Sequence, residues 1–266
     1  LHRSLRLITP RSNSIRVNFF NRHPSKIVKK PFRMPNPKPP SEDGMTRSPN
    51  VKSVQGLLRL LNNFGISVFS YSGGIMAGYA GMDVLGCVIV GTITSVGGGS
   101  IRDIMIGSTP VFWMIEVEHL WISVIASFCS FFTASLLSEE FIPTRSKIFS
   151  IFEALGVSAF CVIGAQKGLR MGFQPFICLI LGVITASFGG VIRDVLCQKP
   201  PRILHSNAEI YASTAFSGAS AYIILRRLRF SSVVRIVGGF LTAFSLRSAA
   251  MIFDIRLPTW AESPQI

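Results

Sequence analysis

Two short stretches hold the residue types that could do chemistry in this chain. Gly97-Gly98-Gly99-Ser100-Ile101-Arg102-Asp103 is the first; Gly189-Gly190-Val191-Ile192-Arg193-Asp194 is the second. Each sets consecutive glycines ahead of an adjacent cation and anion, and each closes a long apolar run. A glycine inside a helix costs up to ~1 kcal/mol against alanine, so runs of them must serve something. In lipid they serve close helix packing, or an interruption whose freed backbone groups turn toward a cavity. The triple Gly97-Gly98-Gly99 favours an interruption, whereas Gly73-Gly74 and Gly238-Gly239 read as close packing. An interrupted helix offers carbonyl oxygens to a cation at one half-helix end and amide hydrogens to an anion at the other. The glycine spacing does not choose between them.

The charges are the sharper feature. An ionised side chain at membrane depth costs ~3 kcal/mol or more unless it is paired or wet. Neighbours on a helix point about 100° apart, so Arg102 and Asp103 look poorly placed to satisfy each other, and likewise Arg193 and Asp194. Two arrangements would satisfy them. One is an exchange between the stretches, Arg102 with Asp194 and Arg193 with Asp103. The other is capping of local helix ends at the membrane interface. Arg247 lies seven residues before Asp254, hence on one face, and either faces the bundle or reaches for the interface. Arg59, Trp113 and Trp121 read as interfacial anchors.

Seven apolar segments must position these groups, over roughly 56–79, 84–101, 118–138, 149–167, 175–196, 207–225 and 233–253. Each approximates the ~20 residues that cross a hydrocarbon core. With no water to satisfy the backbone, they are helices. Only 15% of the residues are charged and the mean hydropathy is +0.46, against about 25% charged in a soluble domain. The expected class is therefore all-α and integral to a lipid bilayer. The expected organisation is an extension over 1–52, a first repeat over 56–145, a second over 147–229, a seventh helix over 232–254 and a tail over 255–266.

The repeats emerge when the chain is slid by 91 residues, from Gly98 to Gly189. Gly65 then falls on Gly156, Phe69 on Phe160, Gly73 on Gly164, Gly91 on Gly182 and Pro110 on Pro201. Asn62 falls on Glu153, a polar residue at the start of its helix in each copy. A match this long is an internal duplication. Three helices per repeat is an odd number, so the second copy enters from the opposite side of the membrane, giving inverted topology about an axis in the membrane plane. The second and fifth segments then face each other across that axis.

The net charge of +14 resembles a nucleic-acid signal, but residues 1–52 carry twelve Lys/Arg against Glu42 and Asp43 alone. Residues 1–41 are Arg-rich, contain serine and lack acid, the composition of a mitochondrial transit peptide. A basic tail on a cytosolic face is the alternative, which leaves the plasma membrane or another organelle open. No nucleic-acid partner is expected. The six prolines between Pro31 and Pro49 make an extended linker. Cys87, Cys129, Cys161, Cys178 and Cys197 are irregularly spaced and read as small buried hydrophobes, and the four scattered histidines suggest no metal site. No cofactor is expected. Nor is an enzyme: there is no nucleophile–base arrangement, and the glycine stretch lacks the Gly-Lys-Ser/Thr ending of a phosphate loop. A structural or assembly membrane protein is the rival to a transporter.

The paired GGGSIRD and FGGVIRD stretches, with Pro110-Val111-Phe112-Trp113 after the first and Arg193-Asp194-Val195-Leu196-Cys197 spanning the second, resemble the bacterial glycine-transporter-domain family. That family is similar in turn to the trimeric intracellular cation (TRIC) channels. The resemblance covers about 55–255. It implies a seven-helix protomer of two inverted three-helix repeats plus a seventh helix, assembled as a homotrimer with one pore per protomer. Gly97, Gly98, Gly99, Gly189 and Gly190 would then sit at kinks of the second and fifth helices around the pore. Arg102, Asp103, Arg193, Asp194, Glu153 and Arg247 would line the pore or the repeat interface. The implied cargo is a monovalent cation such as potassium, or glycine. The chain departs from the family at Asn62, where an acidic residue is expected, and at Phe188, where a third glycine would stand.

Overall fold

A computed structural model of the chain describes residues 54–136, 147–201, 211–253 and 255, all within the compact unit Glu42–Ile266. The basic extension, the Ser138-Glu139-Glu140 turn, His205, Asp254 and the tail beyond Ile255 lie outside the described residues. Eight helices are described: α1 (Val54–Tyr79), α2 (Val84–Met105), α3 (Phe112–Ile115), α4 (Glu118–Leu136), α5 (Lys147–Arg170), α6 (Pro175–Leu196), α7 (Ala212–Arg227) and α8 (Ser232–Ile252). All but α3 fall on the predicted apolar segments. Four are long and apolar enough to cross a membrane: α2, Ser150–Arg170 within α5, α6 and α8. At 16 residues α7 is short for a span, and Asn62, Asn63 and a series of serines dilute α1.

Local chemistry fixes the helix ends. Asp83 caps α2, its Oδ1 accepting the Gly86 N–H at 2.7 Å. Pro175, already committed to a helical φ, opens α6. α2 and α6 end alike: the Ser108 N–H reaches back to the Asp103 carbonyl, and the Lys199 N–H to the Asp194 carbonyl, both at 2.8 Å. The intervening left-handed residue is Gly107 in one copy (φ 67°) and Gln198 in the other (φ 54°).

The packing repeats under the same 91-residue shift, reciprocally. The Phe69 ring on α1 lies over Gly156 of α5, and the Phe160 ring on α5 lies over Gly65 of α1. A Cβ on Gly156 would stand 2.6 Å from Phe69, and one on Gly65 2.9 Å from Phe160. The two rings stack with centroids 5.3 Å apart. At the α2–α6 crossing, a Cβ on Gly98 would overlap the Thr185 carbonyl, and a Cβ on Gly189 the Thr94 carbonyl. Contacts that interchange in this way are those of an isologous, two-fold arrangement. The register also makes α2 and α6 antiparallel where they cross.

Both helices run without interruption through their glycines. The expected break at Gly97-Gly98-Gly99 is thus replaced by close packing: without side chains at Gly98 and Gly189, backbone rests against backbone. The reading of Gly73 and Gly239 as packing residues holds. A Cβ on Gly73 would lie 2.7 Å from Gly91 Cα, and one on Gly239 2.9 Å from the Gly218 carbonyl oxygen. All five cysteines are free; four are buried, but Cys129 is exposed, contrary to expectation.

Candidate functional site

α6 brings Arg193 into the densest polar cluster. Its side chain is 2% exposed, yet it meets two carboxylates. Nε donates to Asp194 Oδ1 at 2.9 Å, and Nη1 donates to Glu153 Oε1 on α5 at 2.6 Å. Nη1 also donates to Ser72 Oγ on α1 at 3.0 Å. The cluster therefore ties α1, α5 and α6 together at buried positions, where charge-assisted bonds are strongest. Close by, Gly190 faces the Tyr211 hydroxyl, and the Arg247 guanidinium sits 4.9 Å from the centroid of the Tyr211 ring. Arg247 is 4% exposed and so faces the bundle.

The equivalent cluster on α2 is simpler. Arg102 Nε donates to Asp103 Oδ1 at 2.9 Å, and both residues are buried. The other oxygen, Asp103 Oδ2, accepts the Phe112 N–H at 3.1 Å, docking α3 onto the end of α2. Asn62, at the position of Glu153, instead meets His119 Nε2 at 2.8 Å. The arginines thus have unequal surroundings: Arg193 is bonded to two carboxylates and Arg102 to one.

Each arginine bonds its own sequence neighbour, which corrects the expected exchange between stretches. The 100° separation describes the Cβ directions, and an arginine side chain is long enough to curl back across it. Both pairs are buried within the last turns of α2 and α6, and Asp103 also accepts the first N–H of α3, a local helix-end contact. Of the predicted site residues, Arg193, Asp194 and Glu153 meet directly. Arg102 and Asp103 form the second pair, Arg247 stands over Tyr211, and Gly98 and Gly189 form the crossing. Gly99 underlies Phe112, with its Cβ direction 2.5 Å from that ring.

Ser72 and Tyr211 join the site without a signal of their own in the sequence. A serine in an apolar run attracts no notice by itself, but Ser72 aligns with Ile163 under the repeat shift, and that mismatch marks it. Trp113, expected as an interfacial anchor, donates its Nε1 proton to Ser100 Oγ at 2.9 Å. Arg59 pairs with Glu118, which also accepts from Asn63 at 2.9 Å. Among the described residues, no group of three or more His, Cys, Asp and Glu is placed to hold a metal.

Apolar helices enclosing paired charges define an integral, multi-pass membrane protein, and the relatives of the chain agree. The chain belongs to the glycine transporter family, whose pattern matches it twice, over residues 59–135 and 150–227. It is 35% identical over 207 residues to a UPF0126 membrane protein of Vibrio cholerae, covering 77% of this chain and 83% of that one. It is 34% identical over 212 residues to the UPF0126 inner membrane protein YadS of Escherichia coli K12, covering 77% and 97%. Among solved structures it resembles a TRIC trimeric intracellular cation channel orthologue from Rhodobacter sphaeroides. That match has a TM-score of 0.68 at 34% identity and covers 75% of this chain and 99% of that one. A second TRIC cation channel structure matches with a TM-score of 0.67 at 32% identity, covering 78% and 98%. These relatives are named as membrane proteins and channels rather than as enzymes.

Proposed function

We propose that the chain passes a monovalent cation across its membrane, along a path that runs by the α2–α6 crossing and the two buried arginine–aspartate pairs. The observation that carries this reading is the doubled pair itself. Ionised groups at these depths are costly, and a pure scaffold has no use for two of them at symmetry-related positions. In this reading the seven helices other than α3 span the bilayer as two inverted three-helix repeats plus α8, and the protein works as a homotrimer. The close approach at Gly98 and Gly189 is then a constriction that must open for passage. The likeness to cation channels over nearly their whole length supports the cation.

A small zwitterion is the second reading, favoured by the description of the family as glycine transporters. An arginine–carboxylate pair that parts can take up a carboxylate and an ammonium group. Reconstitution of the full chain into vesicles separates the two. A cation channel gives potassium efflux and single-channel currents with no saturable glycine uptake. Saturable glycine uptake without currents would replace the first reading by the second, and the absence of both fluxes would overturn each.

A further inference from the structure

Four sulfur-bearing side chains gather at the end of α1, the start of α2 and the cap that closes α6, one turn beyond Arg193 and Asp194. Met76, Cys87 and Cys197 are buried at 2%, 0% and 5% exposure in one small cluster with Ala77 and Val90, and Met82 packs against it. The register that sets Thr94 against Gly189 and Gly98 against Thr185 continues, toward the start of α2, to Cys87 opposite Cys197. Both thiols are thus buried in the same small cluster. Lys199 reaches into the same cluster, its Nζ 3.0 Å from Met76 Sδ. Cys197 thus sits among the charges of Arg193, Lys199 and Asp194, and no carboxylate among the described residues forms an ion pair with Lys199.

A thioether is a weak acceptor, so an ammonium held against one is an unusual arrangement. The duplication supplies a built-in comparison. At the other end of the pseudo-two-fold, the positions of Met76, Met82, Cys87 and Cys197 are occupied by Lys167, Phe173, Cys178 and Ile106. The sulfurs are thus concentrated at one end only.

We propose that Cys87, Cys197 and Met76 form a binding site for a soft monovalent metal cation of the copper(I) type. Thiolate and thioether ligands select such ions over harder ones. Each thiol releases its proton to solvent as its sulfur bonds the metal, which keeps its oxidation state. Two thiolates and one monovalent cation leave a single negative charge, and the Lys199 ammonium is placed to neutralise it. The exposed α1–α2 turn at Ala80 and Gly81 beside the cluster gives the ion a way in. This site is independent of the transport reading.

The test is a competition for copper(I) between the reduced full-length protein in detergent and bicinchoninate, under anaerobic conditions. The protein is expected to withdraw copper(I) from the chelator. Cys87→Ser and Cys197→Ser should each abolish the withdrawal. Met76→Leu should weaken it, and Lys199→Gln should weaken it about tenfold, as loss of a supporting partner does. Cys178→Ser, at the two-fold counterpart, should leave it intact. Withdrawal that survives in both serine variants, that fails equally in Cys178→Ser, or that is absent from the native protein overturns the proposal. X-ray absorption at the copper edge of the loaded native protein needs no variant: a shell of sulfur alone is expected, and a shell of nitrogen or oxygen contradicts the site.

Discussion

Arg193→Met is expected to destabilise the protein by about 3–5 kcal/mol, the usual consequence of removing one partner from a buried ion pair. Glu153 and Asp194 would be left among α1, α5 and α6 without the guanidinium that now bonds both. Methionine fills much of the aliphatic volume, so the loss reports on charge rather than on a cavity. Arg102→Met is expected to cost less, because Asp103 alone is left and still accepts the Phe112 N–H. Adding Glu153→Gln to Arg193→Met should recover a good part of the loss by removing one stranded charge. Thermal unfolding in detergent, followed by the loss of the monodisperse species in size-exclusion chromatography, ranks the three variants. Equal losses for Arg193→Met and Arg102→Met would contradict the asymmetry between the two clusters.

Adjacent glycines should respond in opposite ways. Gly189→Ala places a methyl group against the Thr94 carbonyl. Neither backbone can yield without separating α2 from α6, so a cost of about 3 kcal/mol is expected, at the upper end for overpacking. Gly190→Ala meets nothing nearer than 3.7 Å, the contacts being Arg193 Nη2 and Tyr211 Oη. It should be neutral, or stabilising by up to about 1 kcal/mol through the helix propensity of alanine. The same unfolding assay measures both. Similar behaviour of the two variants would mean that the glycines act through backbone freedom and not through close approach at the crossing.

That contrast shows what sequence can and cannot resolve. The duplication is legible because the spacing of Gly65, Phe69, Gly73, Gly98 and Arg102 recurs intact 91 residues later, and the structure turns that recurrence into reciprocal contacts. The helices are legible because uninterrupted apolar runs have no other way to satisfy their backbone in lipid. The job of the triple glycine is not legible. A glycine that breaks a helix and one that admits a neighbouring backbone look alike until the neighbour is known. The pairing of Arg102 and Arg193 escapes a reading from helix angles, because Cβ directions do not give the reach of a long side chain. The four-residue helix α3 escapes it because a single turn leaves no periodic pattern to detect. The asymmetry between the clusters, by contrast, is on view in the aligned positions Asn62 and Glu153, and Ser72 and Ile163, where one copy is more polar than the other.

The central claim is that a solute passes beside the charged face of α6. Ser187 lies on that face, three residues before Gly190 and seven before Asp194. It is 1% exposed, and its hydroxyl has no hydrogen-bond partner among the described residues. The most direct measurement is potassium efflux from vesicles containing the Ser187→Cys variant, before and after a cationic, water-soluble methanethiosulfonate reagent, with the native chain and its buried Cys161 as the control. If ions travel past this face, the reagent reaches the introduced thiol from water and blocks the efflux while the native protein is unaffected. Efflux that continues with the introduced thiol unmodified would place the conducting path elsewhere and contradict the account.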